Sequence, residues 1–264
     1  MIVKSNFSDI AIVIPIYKES LSVFEKQSLM SCMNLLSGHD IIFAYPENLN
    51  LSKYQELTKD FNAQYFFFHK DYFQDIQGYN NLLTSTIYYN TFIKYEYILI
   101  FQLDCFIFRD ELSDWCKKGY DYIGAPWIDQ NVYNWLYYKD HPRELILVHK
   151  YLLRGKFLSK VGNGGLSLRK VESMMKNISR FSSAVSRWQA NEDSFFCHYV
   201  KTFNPFFKIP SFNEALQFAF DALPEKCFNL NKKKLPFGCH AWYRNDKTYG
   251  DNLTFWSNYI NVEK

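Results

Sequence analysis

The chain has 264 residues, 48% of them hydrophobic and 22% charged, a composition that excludes a disordered or fibrous protein. A net charge of +3 is too small to argue for a nucleic-acid partner. No stretch approaches the roughly 18 apolar residues of a membrane span, and the run from Ile10 to Pro15 is too short for a signal peptide.

In chain order, Ile10-Ala11-Ile12-Val13-Ile14-Pro15 reads as a buried strand stopped by proline. Apolar positions at helical spacing follow over 19–36 (Leu21, Phe24, Leu29, Met33, Leu36), with Gly38 as a natural stop. Asp40 to Tyr45 is a second strand, closed by Pro46. A short helix over 51–60 leads to a third strand, Gln64 to Phe68. Gly78 then precedes a helix of about four turns with Leu82, Leu83, Ile87 and Phe92 facing inward. The alternation of strands and helices over 10–104 predicts a parallel, doubly wound sheet. No Gly-x-Gly-x-x-Gly follows the first strand and no Walker motif occurs, which argues against a dehydrogenase or a P-loop enzyme.

The fourth strand, Tyr97-Ile98-Leu99-Ile100-Phe101, runs into Gln102-Leu103-Asp104. A continuous apolar run of this kind is expected to be buried on both faces. Asp104 then falls at the strand's C-terminal end, where open α/β sheets take their ligands. It either caps the next turn or holds a metal–diphosphate group.

The second half is more irregular. Asp121 to Trp127 is a short strand ending in a turn, and 128–160, with His141-Pro142-Arg143, reads as a loop-rich insertion. A glycine turn, Val161-Gly162-Asn163-Gly164-Gly165, feeds a strand through Arg169. Its backbone N–H groups suit a sugar hydroxyl or a phosphate, and a plain tight turn is the alternative. Helices are expected near 170–177 and 192–201, with 210–230 partly helical. Glu192 and Asp193 open the second of these, either stabilising the helix through its dipole or supplying a base, with Phe195 and Phe196 as anchors. His240 suits a divalent ion in company with a carboxylate, although a lone histidine is more often structural. Trp127 and Trp242 each follow a turn and offer faces for sugar stacking or simply for the core. The six cysteines show no metal spacing and read as reduced thiols in a cytoplasm. Lys232-Lys233-Lys234 is a solvated loop or a contact for an anionic membrane surface.

The order of these features resembles the metal-dependent glycosyltransferases of the GT-A fold. An acidic motif ends a sheet strand (Gln102-Leu103-Asp104), a GG-x-S stretch follows (Gly164-Gly165-Leu166-Ser167), then an acidic pair (Glu192-Asp193), then a late histidine (His240). The chain is also similar to an uncharacterised glycosyltransferase-like domain family. Its motifs stand here as Phe101 to Asp104, Ile123 to Trp127, Gly162 to Arg169 and Asn191 to Phe196. The resemblance spans the chain from Ile10 to Trp242.

The resemblance implies an α/β, GT-A-like (Rossmann-like), mostly parallel central sheet flanked by helices, with a loop-rich C-terminal acceptor half. One domain is expected over 1–264. Its nucleotide-sugar half would end at about residue 108, and the acceptor-binding and catalytic half would follow from about residue 109. It implies transfer of a sugar from a nucleoside-diphosphate sugar, a UDP-sugar, to a glycan, lipid-linked glycan or protein. Asp193 would be the base of an inverting reaction and Glu192 its aide. Pro15, Tyr17, Tyr79, Asn80, Gln102, Asp104, Gly164 and Gly165 would bind the donor, and Trp127, Asn163 and Trp242 the acceptor. Asp104 and His240 would hold Mn²⁺ or Mg²⁺. Gln102 departs from the family's usual pair of acids, which weakens the charge available to a metal. The loop 128–160 would close over the donor. The expected setting is cytoplasmic, in polysaccharide biosynthesis, with peripheral membrane association as an option. The rival readings are a retaining transferase, a nucleotidyltransferase lacking its usual basic loop, and a non-catalytic sugar- or nucleotide-binding module.

Overall fold

The computed structural model describes residues 10–128, 142–149, 158–246 and 249–262. Four apolar runs form parallel strands: β1 (Ile10–Pro15), β2 (Asp40–Pro46), β3 (Ala63–Phe68) and β4 (Tyr97–Phe101). Their order is β3-β2-β1-β4. The crossovers carry α1 (Val23–Leu35), α2 (Ser52–Leu57), α3 (Ile76–Leu83) and α4 (Thr86–Thr91). Side chains alternate between faces, so β1 sends Ile10, Ile12 and Ile14 into one apolar layer and Ala11 and Val13 into the other. Every residue of β1 and β4 is buried, as expected of strands covered on both sides.

The expected four-turn helix after Gly78 is two helices. Thr84 turns its hydroxyl back to the Asn80 carbonyl (2.8 Å), and Ser85 caps the next helix by accepting from the Tyr88 N–H (3.2 Å). The resulting change of direction leaves Ile87 60% exposed, while Leu82, Leu83 and Phe92 face the core. By contrast α1 starts where its sequence says, with a reciprocal capping box between Ser22 and Glu25.

After β4 come β5 (Phe106–Ile107), α5 (Leu112–Lys117), β6 (Tyr122–Ile123) and β7 (Leu166–Lys170). β7, antiparallel to β4, and β6, antiparallel to β7, extend the parallel strands into a six-stranded sheet among the described residues. Phe101 pairs with Leu166, so the glycine turn that precedes β7 lies against Gln102, whose N–H donates to the Gly165 carbonyl (3.0 Å). A small second sheet, ordered β5-β9-β8, is made with β8 (Ala219–Phe220) and β9 (Gly238–Cys239). Both Phe106 and Phe220 pair with Cys239. That register brings the residue just before β5, the one after β8 and the one after β9 to the same edge. The site is built there.

A third apolar cluster around Trp242 and Trp256 lies beneath this small sheet. All six cysteines are free thiols. No described helix is long and apolar enough to cross a membrane. Much of the expected lid, residues 129–141 and 150–157 including His141, lies outside the described residues.

Leu99 sits at the centre of β4 with no exposure. Leu99→Ala should lower unfolding free energy in urea by about 2–5 kcal/mol. A loss within ~0.5 kcal/mol, the range typical of surface substitutions, would contradict the central position of β4.

Candidate active site

A cavity of about 570 Å³ opens at the C-terminal ends of the parallel strands. Its walls include Pro15, Tyr17, Tyr79, Asn80, Gln102, Asp104, Asn163, Gly164, Gly165, Glu192, Asp193 and His240. Residues from the first strand to the last tenth of the chain, Pro15 to Tyr249, thus meet here.

His240 is the centre of one wall. Its Nδ1 lies 2.8 Å from Asp221 Oδ1, and its Nε2 lies 3.2 Å from Asp104 Oδ1 and 3.3 Å from Gln102 Oε1. Burial works to lower its pKa, but the two carboxylates outweigh burial and raise it to about 10. The ring is therefore an imidazolium when no ion competes for Nε2. Burial would raise the Asp104 carboxyl, but the charges of His240 and of Arg244 (Nε 3.5 Å from Oδ2) prevail and hold it below its ordinary value.

Asp104, Gln102 and His240 present one carboxylate, one amide oxygen and one imidazole nitrogen to a common point. Hard oxygens with imidazole suit Mn²⁺ or a similar ion, so the donor set fits such a group. Cys105 lies in the same cluster. Burial pushes its thiol up and it donates to the Gly165 carbonyl (3.2 Å), and a soft sulfur suits a hard cation less well than the neighbouring oxygens do.

The opposite wall is held by Arg169, which has no exposure to solvent. Its guanidinium donates to Ser167 Oγ (2.9 Å), Tyr89 Oη (3.0 Å), the Gly164 carbonyl (3.4 Å) and Glu192 Oε1 (2.6 Å). The Tyr122 ring lies under it at 5.0 Å. Asn80 accepts from the Glu192 N–H (3.2 Å) and fixes the start of the helix that carries both acids. That helix has α turns at Glu192–Ser194 and Lys201–Phe203 with a π segment, Phe195–Val200, between them. Every residue of the π segment is buried, so Asp193 projects from a rigid support. Burial and then the neighbouring Glu192 carboxylate raise the Asp193 carboxyl to about 7. A buried carboxyl titrating near neutrality is suited to accept a proton.

The glycine turn lies between the two walls. Neither Gly164 nor Gly165 has a positive φ; Asn163 does (φ 60°). Their value is the missing side chain. A Cβ on Gly164 would sit 2.3 Å from Glu192 Oε1, and one on Gly165 would sit 2.2 Å from the His240 ring. Glycine is required because both site walls close on this turn.

Two expected acceptor residues are placed elsewhere. Trp242 is fully buried, donates to Ser28 Oγ (2.7 Å) and meets Phe24 and Phe106 edge to face. It has no face left for a sugar. Trp127 packs over Gly162 and against His198 (ring centroids 4.8 Å apart) and is not among the cavity-lining residues. Sequence reading also missed Asp221, Arg244, Lys18 and the role of Arg169. The signal for Arg169 was present: Ser167 and Arg169 share one face of a buried strand, where an unpaired charge is untenable. Asp221 had no motif around it.

A family model described as "Protein of unknown function (DUF5672)" matches residues 62–240. A comparison with curated proteins found no match. Among solved structures, mouse xyloside xylosyltransferase 1 is similar over 90% of this chain and 98% of its own, at 12% identity and a TM-score of 0.55. The galactosyltransferase LgtC, in complex with donor and acceptor sugar analogues, is similar over 96% of this chain and 97% of its own, at 12% identity and TM-score 0.53. Core-mannan synthase A from Aspergillus fumigatus, in its Mn/GDP form, is similar over 80% and 74%, at 10% identity and TM-score 0.51. At such identities the likeness is one of fold. The fold is the GT-A-like sheet expected from the sequence.

Two predictions follow from the walls. Glu192→Ala strands a buried guanidinium and should cost about 3–5 kcal/mol in denaturant unfolding, part of which Arg169→Met in the same chain should recover. An unchanged midpoint for Glu192→Ala would show that the pair is not formed. The Asp193 carboxyl is raised from its ordinary 3.8 to about 7 on folding, so between those values the folded state holds the extra proton. Its contribution to stability is then full below pH 3.8 and falls as pH rises toward 7. Replacing it in Asp193→Asn should flatten that part of the stability–pH curve; an identical slope in both proteins would refute the shift.

Proposed function

The chain belongs to the DUF5672 family, and we propose that it is a glycosyltransferase that moves a sugar from a nucleoside-diphosphate sugar, a UDP-sugar, to a hydroxyl of a glycan or glycolipid. One observation carries the reading. A single cavity at the C-terminal ends of the parallel strands is lined both by donors suited to a divalent cation and by a carboxyl that titrates near neutrality. That end of an open α/β sheet is where ligands of this size are bound.

In this mechanism the half-exposed rim takes the nucleotide. Tyr17, 64% exposed at the end of β1, stacks on the base. Asp104 and His240, with Gln102 beside them, would hold Mn²⁺ or Mg²⁺, which when bound supplies positive charge to the leaving diphosphate. Arg244 and Lys18 line the same cavity and add cationic groups for the phosphates. The backbone of Gly164 and Gly165 forms the wall against which the sugar lies. Asp193 accepts the proton of the acceptor hydroxyl as its oxygen bonds to the anomeric carbon. The bond from that carbon to the diphosphate oxygen breaks, and its electron pair leaves with the nucleoside diphosphate. Attack opposite the leaving group inverts the anomeric centre. Glu192, clamped by Arg169, lies beside Asp193 and helps to raise that carboxyl to about 7.

Calorimetry with UDP, with and without Mn²⁺, should give saturable binding; no binding of any nucleoside diphosphate under either condition would end the transferase reading. Asp193→Asn should retain donor binding within about threefold while lowering transfer by at least ~10²-fold. A fully active variant, or a product with the donor's anomeric configuration by NMR, would overturn the role given to Asp193.

A further inference from the structure

His240 is boxed in on more sides than contact with a cation requires. Its Nε2 faces Asp104 and Gln102 on the cavity wall, whereas its Nδ1 is turned to Asp221 at 2.8 Å. Asp221 is not among the residues that line the cavity. It is held from behind: fully buried Asn252 donates through Nδ2 to the Asp221 carbonyl (2.8 Å) and to the Ala241 carbonyl (2.9 Å). One amide thus ties the residue after β8 to the residue that follows His240. The His240 N–H donates to the Phe220 carbonyl (2.9 Å), closing the same join. On the remaining side Gly165 leaves room for the ring and for nothing more.

The polar neighbours of Nδ1 decide its protonation. A carboxylate only accepts, so the short contact to Asp221 requires an N–H on Nδ1. Asn163 Nδ2, 3.2 Å away, then meets no lone pair there and is the weaker neighbour. With Nδ1 protonated, a neutral ring carries its lone pair on Nε2, toward Asp104 and Gln102. A carboxylate behind an imidazole also makes Nε2 a better ligand.

We infer that Asp221 is a positioning residue, which fixes the tautomer and orientation of His240 so that Nε2 joins Asp104 and Gln102 as a cation-binding set. This rests on the reading of Asp104 and His240 as the cation site. It assigns to Asp221 no contact with substrate or cation. Gln102 stands where a second acid would add charge, so the set depends more heavily on a strong, pre-aimed imidazole.

The test measures cation binding directly, without turnover. Mn²⁺ is titrated into the 264-residue chain, alone and with UDP, and free Mn²⁺ is followed by electron paramagnetic resonance. His240→Ala serves as the reference for loss of the ligand. Asp221→Ala should weaken Mn²⁺ about 10–100-fold. Asp221→Asn keeps an accepting oxygen without the charge, so it should fall between wild type and Asp221→Ala, and it serves as the test should the alanine variant not fold. In ¹⁵N-histidine-labelled wild type with Mg²⁺ bound, the His240 ring should show a protonated Nδ1, and this signature should be lost in the alanine variant. Wild-type Mn²⁺ affinity in folded Asp221→Ala, or a ring protonated at Nε2 with Mg²⁺ bound, would overturn the assignment while leaving the cation site standing. Equal, negligible Mn²⁺ binding by wild type and His240→Ala would instead overturn the cation site on which it rests.

Discussion

A guanidinium shut away from water must be paired on every side, and Arg169 imposes that condition on the centre of this protein. Its partners come from α4, from the glycine turn, from β7 itself and from the helix that starts at Glu192. None of these segments can shift without leaving a charge or a carbonyl unsatisfied. The pair is not a simple gain in stability, since two buried charges lose much hydration. What it fixes is the place of Glu192, and through it the electrostatic setting of Asp193.

The second charged centre works by the same logic, a buried cation held between carboxylates. His240 lies between Asp104 and Asp221; Asp221 and His240 directly follow two strands of one small sheet, and Asp104 lies two residues before the third. The register of that sheet makes the cluster unavoidable once the strands pair. The glycine turn lies between the two centres, with Gly164 against Glu192 and Gly165 against His240. Two neighbouring residues without side chains thus let an anion-bearing wall and a histidine-bearing wall close on one cavity.

Rigidity is concentrated where the chemistry would need it. The π segment behind Asp193 is buried all round, and Trp242, immediately past Ala241, is locked into the third apolar cluster. The cavity rim is looser: Tyr17 is largely exposed and Arg244 is half exposed. A firmly packed floor beneath an exposed, charged rim is compatible with binding a phosphate-bearing donor and then releasing it.

The sequence by itself determined the fold class. Apolar runs of strand length alternating with helical periodicity admit little other than a doubly wound sheet, because each run must be buried on two faces. It also placed Asp104 at a strand end, since that depends only on where an apolar run meets a charge. Tertiary structure alone decided the rest. The split between α3 and α4 turned on hydroxyls that bond locally, and periodicity does not register these. Trp242 followed a turn just as a stacking platform would, and only the packing around Ser28 and Phe24 consigned it to the core. The glycines were visible, but their purpose was not, because a missing Cβ has meaning only relative to the side chain that fills its space. Asp221 had no motif to announce it. Its place behind His240 comes from strand pairing across 19 residues of chain, a contact that no local pattern encodes.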